Sequence, residues 1–356
     1  NTPPGPLRPI SSGRAVRKGQ PFSVAPLATC SAQGLTDGAK PLIPLAEHPR
    51  CHANWLPVSV WTRDTNNLGR PALSSANFVL TLSCTDRPGI VAAVTTELAA
   101  LKANIAESNQ FWDRETGRFF MRLAFTAPHD VSRESIEKAL KSPIERFDMK
   151  TALSDESRKK RVVIMVSKFD HTLLHLLYQI RVGWLDAEVA AIVSNHEDAR
   201  KIAEDAGVPF HFLPVTKETK TAQEAQVLEI VKSTGADLVV LARYMQVLSD
   251  NLSTRLFGQV INIHHSFLPS FKGAKPYHQA HERGVKIIGA TAHYVTPDLD
   301  EGPIIEQETA RVTHALSPDD LVAAGRDIES RVLARAVKLH LENRVMLNGK
   351  KTVVFG

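Results

Sequence analysis

The chain has 356 residues, 43% hydrophobic and 23% charged, which fits a globular protein of two or three domains and excludes a disordered or fibrous one. No apolar run approaches the roughly 18 residues that a membrane span needs, and three scattered cysteines (Cys30, Cys51 and Cys84) make neither a disulfide framework nor a metal site. The net charge of +5 is not gathered into a basic stripe, and its one dense cluster, Arg158-Lys159-Lys160-Arg161, reads as a solvated linker, so no nucleic-acid partner is expected.

Residues 1–76 do not read as a domain. They are rich in Pro, Gly, Ser and Ala, lack sustained periodicity and carry no acidic residue before Asp37. An acid-poor, Arg-containing start resembles an organellar transit peptide, but it has no clear amphipathic helix; a disordered leader or a misplaced start explains it as well. Order begins with a strand of period two, Phe78–Cys84, and a turn, Asp86-Arg87-Pro88-Gly89. A helix follows from Ile90 to Leu101, with Ile90, Val94, Leu98 and Leu101 on one face. Strands at Ile105–Trp112 and Phe119–Thr126, a helix at Ser132–Phe147 and a strand at Met149–Leu153 complete a ferredoxin-like α+β unit over 77–153.

A polar linker, 154–161, leads into an alternation of strand and helix over 162–356. Strands are expected at Val162–Val166, Val189–Val193, Pro209–Phe212, Leu238–Ala242, Gln259–Ile263 and Ala290–Val295. Helices are expected at Thr172–Arg181, Glu197–Ala206 and Ala222–Ser233. The wholly apolar Leu238-Val239-Val240-Leu241-Ala242 suits a strand covered on both faces, so this half is α/β, a doubly wound and mostly parallel sheet. Sites in such sheets lie at the carboxyl ends of the strands.

One strand delivers Asn262 and His264 two residues apart, and so to one face, just before a polar loop containing Pro269 and Gly273. A carboxylate-bearing loop, Pro297-Asp298-Leu299-Asp300-Glu301-Gly302-Pro303, follows the strand that ends at His293-Tyr294-Val295. An amide, an imidazole and a carboxylate together can process a carbonyl: the amide donates to a developing oxyanion, the imidazole moves a proton, and the carboxylate holds the imidazole or a water. Each residue alone also has a structural reading, Asp298 as a turn residue and a histidine as a satisfied strand end. His278 and His281 lie three apart on a helix, but no third ligand stands at a zinc spacing, so they read as surface residues.

Asn262-Ile263-His264 with Ser266, Leu268 and Pro269, then Gly289–Val295, then Asp298–Ile305, resembles the folate-dependent formyltransferase family. That resemblance implies a catalytic trio of Asn262, His264 and Asp300, with His293 in support. It also implies a pterin-holding loop through Arg243, Tyr244, Met245, Gln246 and Val247, and a covering loop that includes Thr296 and Asp298. Members that use a ribonucleotide acceptor carry a Gly-rich phosphate loop after the first strand. The glycine-free Ser167-Lys168-Phe169-Asp170-His171-Thr172 here resembles instead the deformylase branch, in which water is the acceptor; Lys168 and His171 would then face substrate. Thr172 departs from that branch, which usually carries Cys there. Asp86-Arg87-Pro88-Gly89-Ile90, with the element order around it, resembles an ACT domain and implies a small amino-acid effector at that turn. Gly349–Phe355 is also typical of the branch.

The resemblance implies hydrolysis of 10-formyltetrahydrofolate to formate and tetrahydrofolate, supplying formate for purine synthesis and balancing the one-carbon folate pool. The alternatives are transfer of the formyl group to an amine and an inactive amino-acid sensor. Asp300 would position and activate a water, directly or through His264, and Asn262 with protonated His264 would stabilise the tetrahedral oxyanion. No metal or other cofactor is expected, nor any membrane partner. A homo-oligomer is expected, in the cytoplasm, or in an organellar matrix if the leader is a transit peptide.

Overall fold

A computed structural model describes residues 75–268 and 276–356. The expected leader falls outside these except for its last two residues, and so does the loop motif from Pro269 to Gly273.

The first unit runs β1 (Ser75–Thr85), α1 (Ile90–Ala100), β2 (Asn104–Asp113), β3 (Arg118–Pro128), α2 (Arg133–Phe147) and β4 (Lys150–Asp155). Its strands form an antiparallel sheet in the order β2-β3-β1-β4. Alternation along β1 and β3 sends Phe78, Leu80, Leu82, Met121 and Phe125 to one face, where they meet Ile90, Val94 and Leu98 of α1 and Ile136 and Leu140 of α2. The opposite face presents Phe120.

The second unit begins at β5 (Lys160–Val166), and the loop before it spans only 156–159, because β4 and β5 both reach into the expected linker. Then come α3 (His171–Arg181), β6 (Ala187–Ser194), α4 (Arg200–Asp205), β7 (Phe210–Phe212), α5 (Lys220–Thr234), β8 (Leu238–Leu241), α6 (Asp250–Arg255) and β9 (Val260–His264). The chain continues through α7 (Pro276–Glu282), β10 (Ile287–Tyr294), β11 (Ile304–Arg311), α8 (Pro318–Leu341), β12 (Val345–Asn348) and β13 (Lys351–Val354). Seven strands make one sheet in the order β11-β10-β9-β8-β5-β6-β7. It is parallel from β7 to β9 and antiparallel at β10 and β11. Period-two alternation divides β5: Val162, Ile164 and Val166 pack under α3 and α8, while Val163 and Met165 pack under α5 and α6. Both faces are covered, so these strands are continuously apolar.

Two long elements absent from the expectations, α8 and β11, complete this unit. A capping box, in which Ser317 and Asp320 satisfy each other's backbone N–H, together with Pro318 in the first turn, starts α8. After it, the β12–β13 hairpin returns to the first sheet, where Val353 and Phe355 cover Phe120. Glu107 of β2 accepts from Arg122 at 2.8 Å and from Arg344 at 2.9 Å, beside that hairpin.

Candidate active site

The site lies where the parallel strands end. Beta-strand pairing sets its first three groups: β9 and β10 run antiparallel with His293 opposite Asn262 and Thr291 opposite His264. Asn262 and His264 share a face because they are two apart, and His293 joins Asn262 across the ladder, with Asn262 Nδ2 3.3 Å from His293 Nε2. His293 Nδ1 donates to the Tyr294 carbonyl at 2.9 Å. Its Nε2 therefore accepts from the Asn262 amide when the ring is neutral, and leaves that amide one further N–H.

The fourth group, Asp300, arrives on the loop between β10 and β11 with a left-handed backbone, φ 57°. The loop folds back so closely that Gly302 lies against the Tyr294 carbonyl, and Tyr294 N donates to the Pro303 carbonyl at 2.9 Å. Asp300 then meets both imidazoles, Oδ2 at 3.2 Å from His264 Nδ1 and Oδ1 at 3.7 Å from His293 Nε2. Burial pushes the Asp300 carboxyl up, but the neighbouring imidazoles of His264 and His293 outweigh it and hold the group well below the usual carboxylate range. With Nδ1 committed to Asp300, His264 presents Nε2, which is buried and has no hydrogen-bond partner among the described residues. That nitrogen is free for a reacting group.

A cavity of about 270 Å³ opens beside these residues. Asn262, His264, His293, Asp298, Asp300 and Thr296 line it from one side, and Arg243, Tyr244, Met245, Gln246 and Val247 from the other. The latter loop is held from outside: Gln223 Nε2 donates to Tyr244 Oη at 3.0 Å, Lys220 donates to the Val247 carbonyl, and Met245 N donates to Ser167 Oγ at 2.9 Å. Lys168 and His171 are not among the lining residues. Lys168 is exposed, His171 Nε2 donates instead to Glu329 at 2.9 Å, and Thr172 is buried in the first turn of α3. In the first unit, Asp86, Arg87, Pro88 and Gly89 form an exposed turn before the buried Ile90, with Gly89 at φ 94° and the Arg87 guanidinium 5.5 Å from the Phe147 ring. His278 and His281 both fall on α7. Among the described residues no group of three or more His, Cys, Asp or Glu is placed to hold a metal ion, and no helix is long and apolar enough to cross a membrane.

Sequence reasoning did not single out His265, whose ring stacks on that of His264 at 5.0 Å. Its signal was the doubled histidine at the end of β9. Burial, and then the Arg243 charge, push the His265 imidazole down to about 4. His340, 2.7 Å from Tyr294 Oη through Nδ1, is pushed down to about 4 as well, chiefly by burial and then by Lys160. Both rings stay neutral in the folded chain while the unfolded chain would protonate them near 6.5. Protons therefore favour the unfolded state as pH falls from about 6.5 to about 4, by roughly 3 kcal/mol per ring at most, and no further loss accrues below that window. Denaturant titrations between pH 7 and pH 4.5 should show this loss, and His340→Gln should flatten it; an unchanged slope would remove His340 from the account.

A Formyl transferase family model matches residues 160–337, and an ACT domain model matches residues 78–142. The chain is 52% identical over 280 residues to a formyltetrahydrofolate deformylase of Corynebacterium sp. (strain P-1), covering 78% of this chain and 97% of that relative. It is 49% identical over 278 residues to a formyltetrahydrofolate deformylase of Bacillus subtilis (strain 168), covering 78% of this chain and 93% of that one. The crystal structure of a formyltetrahydrofolate deformylase from Burkholderia mallei superposes with a TM-score of 0.76 at 51% identity, over 79% of this chain and all of that one.

Proposed function

This chain belongs to the formyltetrahydrofolate deformylase family, and we propose that the cavity beside Asn262, His264 and Asp300 hydrolyses 10-formyltetrahydrofolate to formate and tetrahydrofolate. The observation that carries this reading is the arrangement of His264, which lines a cavity bounded by the Arg243–Val247 loop, with Nδ1 on Asp300 and Nε2 unpaired among the described residues. A carboxylate held as low as Asp300 is a weak base on its own, so its better role is to orient His264 and to stabilise the imidazolium once formed.

In the reaction, His264 Nε2 takes a proton from water as the water oxygen adds to the formyl carbon. The carbonyl π pair moves to oxygen and leaves a tetrahedral oxyanion. The remaining N–H of Asn262 and the new Nε2–H of His264 donate to that oxygen, each contributing about 3–4 kcal/mol. His264 then returns the proton to the folate nitrogen, and the oxyanion pair re-forms the carbonyl as the carbon–nitrogen bond breaks. Tetrahydrofolate departs with formic acid, which loses its remaining proton to solvent to become formate. These residues complete the chemistry without a metal or other cofactor. The glycine-free turn after β5 supports water rather than a ribonucleotide as acceptor, because it offers no nest of backbone N–H groups for a phosphate.

The Asp86–Ile90 turn is proposed to take a small amino-acid effector, and the working form is proposed to be a homo-oligomer. Its place is the cytoplasm, or an organellar matrix should residues 1–76 act as a transit peptide. The activity is tested by mixing the purified chain with 10-formyltetrahydrofolate alone and following formate. Turnover without any acceptor is the expected result; turnover only after addition of an amine would make the protein a transferase.

A further inference from the structure

Arg243 opens the cavity-lining loop with φ 63°, a left-handed conformation that a long side chain occupies only where its surroundings hold it there. Its carbonyl accepts from Ser167 N at 3.3 Å, which ties the backbone to the end of β5. Its side chain leads away from solvent to a carboxylate on the far helix: Arg243 Nε lies 3.4 Å from Glu329 Oε2, and its guanidinium stands 5.6 Å from the centre of the Phe169 ring.

Glu329 is 1% exposed, in the middle of α8, where its helical neighbours Ile328, Val332 and Leu333 form the core. A buried carboxylate is retained only with full compensation. Its contact with Arg243 Nε is an ion pair and not a hydrogen bond; its two donors are His171 Nε2 at 2.9 Å from Oε2 and Tyr277 Oη at 2.8 Å from Oε1. The Tyr277 ring is itself seated against Gly325, one turn earlier on α8, where an added Cβ would come within 2.1 Å of it. One carboxylate therefore joins the start of α3, the loop after β8 and the helix α7. Nothing in the reaction described above uses it.

We propose that Glu329 is a positioning residue for folate binding, acting through Arg243 to hold the Arg243–Val247 loop in its binding conformation. The inference rests on the folate-binding reading of the cavity. The loop touches the bound folate before and during reaction alike, so its loosening weakens binding uniformly and raises KM while leaving kcat nearly unchanged. A residue with only a general structural role would instead lower the active fraction, and with it the apparent kcat, at constant KM.

The test is a cycle of Glu329→Gln, Arg243→Met and the double variant in the full chain. It is read as the Kd for 5-formyltetrahydrofolate by fluorescence titration, together with KM and kcat for 10-formyltetrahydrofolate. Glu329→Gln should raise Kd and KM about tenfold, with kcat within about threefold, and should add nothing further on the Arg243→Met background. A Kd within twofold of the parent, or an undiminished effect on the Arg243→Met background, would overturn the proposal. If Glu329→Gln does not fold, Glu329→Asp, which keeps the charge but withdraws it from Arg243, carries the same expectation. The titration needs no turnover, so a parent chain that binds the folate without hydrolysing it would defeat the hydrolase reading and leave this one standing.

Discussion

Asp300→Asn should lower kcat for formate release roughly 10³–10⁴-fold with little change in KM, as loss of an imidazole-orienting carboxylate does in catalytic triads. The magnitude follows from what the carboxylate does at 3.2 Å from His264 Nδ1. An ionised carboxylate only accepts, so it fixes the hydrogen on Nδ1 and leaves the lone pair of Nε2 toward the cavity. An amide at the same place can donate its N–H to Nδ1, which moves the ring hydrogen to Nε2 and removes the base. The substitution also withdraws the negative charge that stabilises the imidazolium formed as water adds. The loop proposed to hold the folate, Arg243–Val247, lines the same cavity without including Asp300, so a folate titration should give a near-parental Kd. If formate release stays within tenfold of the parent, Asp300 does not orient His264, and His293, 3.7 Å from the same carboxylate, becomes the group to examine.

How far the sequence reached depended on whether an element's pattern reflects burial that is uniform along it. The strands Val162–Val166 and Leu238–Ala242 were legible because both faces of each meet covering helices, and the run is apolar without interruption. The edge strand β11, Ile-Ile-Glu-Gln-Glu-Thr-Ala-Arg, has one neighbour and a half-exposed surface, so its sequence looks like a loop. Helix α8 was not expected although it runs for 24 residues, because Gly325, Glu329 and Ser330 interrupt its buried face. Two of those three are where Tyr277 docks, a contact made across the fold that no local window contains. The same divide runs through the site. Asn262, His264 and Asp300 stand in short contiguous motifs, whereas the destination of the Arg243 side chain depends on a helix some ninety residues further on. His171 was expected to face substrate for that reason: its position after β5 is right, and only the buried Glu329 draws its ring elsewhere.

Gly302→Ala should reduce kcat/KM by about 10²-fold or more while leaving the main thermal transition close to that of the parent, because the lesion is confined to one loop. Gly302 is required for space and not for its backbone angles. A Cβ built there would lie 1.7 Å from the Tyr294 carbonyl oxygen, 2.9 Å from its carbon and 3.1 Å from His293 Nδ1. None of these is the end of a flexible side chain. The carbonyl belongs to β10, which is held by β9 on one side and β11 on the other, so the loop must move instead. Moving it displaces Asp300, two residues away, from both imidazoles. It also disturbs the His293 Nδ1 bond to the Tyr294 carbonyl, which determines how the Asn262 amide is presented. One methyl group thus disturbs His264, Asp300 and Asn262, the three groups proposed to carry the reaction, together. In the Asp300→Asn background the alanine should cost less than it does alone, since the part of its effect that runs through the carboxylate is already gone. Measuring formate release for the two single variants and the double variant decides the matter: effects that multiply in full would show that Gly302 acts on something other than the placement of Asp300.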